Sequence, residues 1–160
     1  MSKSTKEFSI RNLQWKLFLL GLFKIPIIGF VRPRLEEIND ETVKVKIKLN
    51  RKSKNHLNSM YFGALAVGAD IAGGIHVFYF SDTLGKKISF SFKGMKADFI
   101  KRAETDVQFI CSDGQIIHSA VLESIETKER VNKSVMVTAL DTNNEIVATF
   151  EMIASLKVNN

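Results

Sequence analysis

The chain has 160 residues, 45% hydrophobic and 25% charged, with two prolines and nine glycines, which fits one globular domain over residues 1–160 with a sizeable core. A net charge of +6 favours polyanionic partners such as the phosphates of coenzyme A, yet the lysines are spread along strands and turns and no nucleic-acid-binding motif is present, so a nucleic-acid groove is excluded. The single cysteine, Cys111, excludes an internal disulfide, points to a cytoplasmic protein and reads as a packing residue in a strand.

In chain order, residues 1–34 read as an N-terminal helix and an extended connection packed on the domain. Ser9 can cap that helix, Leu13, Leu17 and Leu20 recur at helical spacing, and Pro26 and Gly29 end it before Arg32-Pro33-Arg34. Residues 13–31 are strongly apolar, but Lys16, Lys24 and Pro26 argue against a membrane-spanning segment. Packing on the domain is preferred to resting on a membrane surface or lidding a pocket. Val43, Val45, Ile47 and Leu49 alternate with lysines as one face of a half-buried strand. A polar loop from Asn50 to Ser59 follows.

Residues 60–80 predict a helix that is apolar on all sides and carries one carboxylate, Asp70. Its length would match a bilayer, but Asp70, His76 and four glycines favour a buried core helix. A turn over Ser81–Lys87 leads to a strand with Ile88, Phe90 and Phe92 on one face. The phase flips at Gly94, the mark of a β-bulge, before Met95, Ala97 and Phe99. Val107, Phe109 and Cys111 form the next strand. Asp113 can cap a short helix containing Ile117, Val121 and Ile125, and two strands follow around a turn at Asp141–Asn144. This order predicts an α+β fold in which a curved antiparallel sheet wraps the long helix. The sheet covers only part of that helix, so a second subunit is expected to cover the remainder.

The run Asn55-His56-Leu57-Asn58-Ser59-Met60-Tyr61-Phe62-Gly63 leading to Asp70 resembles the signature of hotdog-fold acyl thioesterases of the PaaI-like kind. The order of elements is similar to a bacterial branch with an extra N-terminal helix, like the C-terminal half of YiiD. Where the PaaI-like pattern has His-Gly-Gly, this chain has Tyr61-Phe62-Gly63, so one glycine matches. The resemblance implies a hotdog fold, an acyl-CoA or acyl-carrier-protein substrate and no cofactor beyond the coenzyme A of the substrate. The incompletely covered helix points to a homodimer, with a dimer of dimers left open.

Geometry adds a constraint. From Gly63 to Asp70 is seven residues, about 10 Å of helical rise, so Asp70 cannot sit beside its own helix N-terminus. In a two-fold dimer, Asp70 of one subunit can approach the N-terminus of the other. Asp70 then serves as base or nucleophile, and the N–H groups at Phe62-Gly63 stabilise an oxyanion. Asn55 orients water or the carbonyl, Tyr61 and Phe62 wall the acyl tunnel, and Lys86, Lys87 and Lys93 meet cofactor phosphates. The plainer readings are a hydrogen-bonded buried Asp70, a turn-forming Asn55 and a core Tyr-Phe pair. His76 reads as a satisfied or interface histidine, and His118 has no visible partner. Two rival functions remain: a non-catalytic acyl-thioester-binding protein, and a 3-hydroxyacyl thioester dehydratase pairing His56 with Asp70.

Overall fold

The computed structural model describes the backbone of residues 2–159 and the side chains of residues 10–159. The N-terminal segment is a hairpin of two helices, α1 (Ser2–Leu19) and α2 (Pro26–Val31), joined by a π-helical turn over Leu20–Lys24. Ser9 therefore lies inside α1 and does not cap it. The π turn closes on a bond from the Ile25 N–H to the Leu20 carbonyl, 2.8 Å. Pro26 explains the break: it disfavours helical dihedrals at Ile25, which sits at φ −131° and ψ 85°. Gly21 and Gly29 hold the hairpin shut, since a Cβ on Gly21 would lie 2.6 Å from the Gly29 nitrogen.

Six strands follow in one sheet of order β1-β2-β4-β5-β6-β3. They are β1 (Arg34–Ile38), β2 (Val43–Ile47), β3 (Lys87–Phe99), β4 (Val107–Cys111), β5 (Val131–Leu140) and β6 (Ile146–Asn159). Neighbours pair antiparallel throughout. β1 and β3 are the edges. The expected bulge is present: the β3–β6 register shifts between Phe92 and Gly94. β1 continues the expected extended connection into a strand that the sequence pattern does not announce. Its Leu35 and Ile38 both face the core because a second bulge, between Leu35 and Glu37, breaks the alternation.

The long helix α3 runs from Phe62 to Leu84 and lies against β2, β4 and β5, flanked by α4 (Gly114–Thr127). It is one turn longer than expected at its C-terminus; Gly85, at φ 61°, provides the left-handed stop. Close helix–sheet approach rests on Gly68, where a Cβ would sit 2.3 Å from the buried ring of Phe109. Asp113 precedes α4 but does not cap it; its Oδ2 accepts the Met136 N–H at 2.7 Å and ties the helix start to β5. Much of the cover expected from a second subunit comes from α4 and the N-terminal hairpin of the same chain.

Candidate active site

α3 presents Asp70, Ile71, Gly74, Ile75 and Phe78 along one face. That face forms a wall of a cavity of about 880 Å³. The N-terminal hairpin supplies the opposite wall through Leu13, Leu17, Leu20, Phe23 and Ile28, and β3 closes the third side with Phe90 and Phe92. Gly74 leaves room for those rings, because a Cβ there would lie 3.0 Å from Phe90 Cε1. The lining is overwhelmingly apolar. Among the described residues Asp70 is its one carboxylate, with Lys16 and Lys24 as its cations.

Burial alone raises the Asp70 pKa above its ordinary 3.8, with no hydrogen bond or neighbouring charge contributing. Among the described residues the carboxylate is thus a proton acceptor without a partner, facing an apolar chamber. Lys16 instead pairs with Asp82 in the last turn of α3, pinning the hairpin to the long helix.

The other sequence-derived candidates lie outside this lining. Asn55 closes its own loop: its Oδ1 accepts the N–H groups of Leu57 (2.9 Å) and Ser59 (3.2 Å), and its Nδ2 donates to Ser59 Oγ at 3.1 Å. His56 is exposed in the same loop, as are Lys86, Lys87 and Lys93 on β3 and the turn before it. Tyr61 occupies the N-cap position of α3 without a side-chain cap bond, leaving the first N–H groups of the helix uncapped by any side chain. Its ring packs on Gly63, where a Cβ would sit 2.4 Å from Tyr61 Cε1. Phe62 is exposed and meets Phe99 edge-on at 6.1 Å.

His76 belongs to a separate cluster on the far side of α3. Its Nε2–H donates to the Asn39 carbonyl at 2.9 Å and its ring stacks on Phe80, while Nδ1 is buried without a partner. Burial lowers its pKa below 6.5. His118 also stacks on Phe80, with ring centroids 4.7 Å apart. Burial pushes the Cys111 thiol up to about 11, which makes it a packing residue and not a nucleophile.

What sequence reasoning missed is the N-terminal half of the chamber, including Lys16 and Lys24. The available signal was the excess of apolar residues over 13–31, more than a solvated surface helix needs.

The family model described as a domain of unknown function, DUF4442, matches residues 14–156. The chain belongs to that family. A Pseudomonas aeruginosa protein of unknown function, described as "Probable Thioesterase", is similar over 88% of this chain and 92% of its own, with 22% identity and a TM-score of 0.71. A Chlorobaculum tepidum protein of unknown function aligns over 94% and 97%, with 14% identity and a TM-score of 0.80. A Haemophilus influenzae thioesterase aligns over 88% of each chain, with 8% identity and a TM-score of 0.62. No curated protein sequence matches. The shared architecture, a long helix packed on a six-stranded antiparallel sheet with an added N-terminal helix, is the hotdog fold. Among the described residues one helix, Phe62–Leu84, is long and apolar enough to cross a membrane, and 67% of its apolar window is buried inside the fold.

Proposed function

We propose that this chain is an acyl-thioester hydrolase that seats the acyl chain in the cavity beneath the N-terminal hairpin and uses Asp70 as its base. The observation that carries the reading is the unpartnered Asp70 carboxylate in the wall of an otherwise apolar chamber. A raised pKa suits a group that must take a proton from water near neutral pH. Water oxygen attacks the thioester carbon, Asp70 accepts the water proton, and the tetrahedral intermediate expels the thiolate, which leaves protonated as the free thiol. Attack by Asp70 itself, through an acyl-aspartate that water then hydrolyses, is the variant of this scheme. The thioesterase descriptions of the Pseudomonas and Haemophilus structural relatives support the reaction class. Acyl-CoA and acyl-carrier protein both present the required bond.

The oxyanion must be met by donors other than those of the same helix start, because Asp70 stands about 10 Å along α3 from Gly63. In our reading a partner subunit supplies them from its own Phe62-Gly63 turn. The unpaired edge of β3 and the exposed Phe62, Phe99 and Ile100 support such a homodimer. Thiol release from a panel of acyl-CoAs tests the scheme. Wild type turns over and Asp70→Asn loses at least about a hundredfold, the scale of removing a general base, while staying folded. Equal turnover in the variant overturns it.

One observation favours a second reading, a non-catalytic acyl-thioester-binding protein. The ring of Tyr61 covers the side of Gly63 that a glycine would otherwise leave open to a carbonyl. Tight acyl-CoA binding without thiol release selects that reading. The dehydratase reading has less support, since His56 lies outside the chamber that holds Asp70.

A further inference from the structure

The outer surface of the N-terminal hairpin is the largest anomaly left unexplained by the chamber beneath it. The face of α1 turned from the core carries Trp15 and Phe18, which stack at 5.4 Å, and the π turn adds exposed Leu22. Trp15 is 58% exposed and Phe23, in the π turn, 72%. α2 adds exposed Ile27 and Phe30. A folded chain rarely offers so many large apolar side chains to water on one segment without something to cover them.

Charge identifies the cover. Between Phe8 and Leu35 the sequence holds no Asp or Glu, while Arg11, Lys16, Lys24, Arg32 and Arg34 are all basic. Lys52 stands 5.3 Å from the centre of the Phe30 ring and adds a cation beside the same segment. Lys16 is taken up by Asp82, but Arg11, Lys24, Arg32 and Arg34 have no ion pair among the described residues, and exposed apolar side chains set among such cations match the interface of an anionic bilayer. A second copy fits poorly. A two-fold contact through this face would oppose the same cations to each other, with no carboxylate from the segment to meet them.

The chamber and this surface are continuous. Phe23 and Ile25 line the cavity and are also exposed, so the π turn stands both at the chamber wall and at the outer face. We propose that the N-terminal hairpin docks on an anionic lipid surface, inserting Leu22, Phe23 and Ile27 among the acyl chains. The π turn then forms the mouth through which a lipid-borne acyl chain enters the cavity. Docking depends on the surface of the hairpin and not on the hydrolytic reading, so the two stand or fall separately.

The test uses the full chain and lipid vesicles. Trp15 is the sole tryptophan and lies within the patch, so its emission reports directly on insertion. Vesicles of phosphatidylcholine with about a third phosphatidylglycerol, an anionic surface of the kind that attracts basic segments, should capture the protein in flotation and shift Trp15 emission to the blue. Pure phosphatidylcholine should capture it weakly, and high salt should release it. Leu22→Asp with Ile27→Asp, or Arg11→Glu with Arg32→Glu, should each weaken capture by about tenfold or more, given roughly fivefold per cation at such a surface. All four positions are exposed, so folding is preserved, which circular dichroism checks. Asp70→Asn should float like wild type whatever its turnover. The proposal is overturned if anionic vesicles fail to capture wild type, or if capture ignores both pairs of substitutions. It is also overturned if Trp15 emission is already blue-shifted in the free protein and Leu22→Asp halves the solution mass, because a second copy then covers the patch.

Discussion

Asp70→Asn should make the protein more stable at neutral pH, and the structure fixes the sign. Burial raises the folded-state pKa of Asp70 above its unfolded value of 3.8. The folded chain therefore holds this proton more tightly than the unfolded chain does. Below the unfolded pKa the carboxyl is neutral in both states and carries no penalty. As pH rises through 3.8 and then through the folded pKa, an ionised group without a partner accumulates in an apolar wall, and stability is lost. Above the folded pKa the penalty is complete. An amide of nearly the same shape removes the charge but keeps an unsatisfied polar group, so the relief is partial. A gain of about 1 kcal/mol, the low end for an unpaired half-buried polar group, raises the Tm of a domain of this size by about 2–4 °C. Thermal unfolding followed by circular dichroism measures it. The gap between variant and wild type should close on acidification below the ordinary carboxylate range. A variant that melts at or below the wild-type temperature at neutral pH would refute the reasoning, because it would mean that the carboxylate has a stabilising partner in the folded state.

Other substitutions probe the fold and the chamber. Gly68→Ala places a methyl 2.3 Å from the Phe109 ring in a packed core and should cost about 1–3 kcal/mol, read as a fall in Tm. Gly74→Leu fills the chamber beside Phe90 and Phe92; acyl-CoA turnover should shift toward short chains, with long-chain KM rising by about tenfold, the order of one or two lost methylene-sized contacts. Gly21→Ala forces apart two backbones that now touch, so limited proteolysis should cut the π turn faster than in wild type. His76 is neutral when folded, so its contribution is present above 6.5 and lost as pH falls from 6.5 through its lowered folded pKa; its imidazole NMR signals should titrate below 6.5.

The parts of the fold that are legible in the sequence share one property: their pattern is local and repeats. Alternation over Val43–Ile47 and the phase flip at Gly94 follow from side-chain period alone. The central helix is legible from its unbroken apolar run, though its last turn is not. Asp82 and Thr83 read as turn residues, whereas in the structure Asp82 is held in the helix by Lys16 from a distant segment. β1 is hidden for a related reason, since the bulge at Leu35–Glu37 erases the alternation that would announce a strand. For the site, Asp70 stands out because a lone carboxylate in an apolar helix is costly without a task. Asn55 and His56 stand out by resemblance, yet Asn55 spends its polar atoms on its own loop. The chamber itself is invisible to any local pattern, because its walls come from three separate elements and the N-terminal hairpin lies more than forty residues from the other two.

The bulge in β3 has a consequence for the company this protein keeps. β3 is a sheet edge, and a straight edge of thirteen residues would accept almost any passing extended chain and so invite aggregation. Lys93, left without a counterpart between Phe92 and Gly94, cuts that edge into two short runs, Lys87–Phe92 and Gly94–Phe99, with a cation at the break. A strand added there must carry a matching interruption to hydrogen-bond along both runs. Few extended chains do, so one supernumerary lysine guards the open edge against indiscriminate pairing.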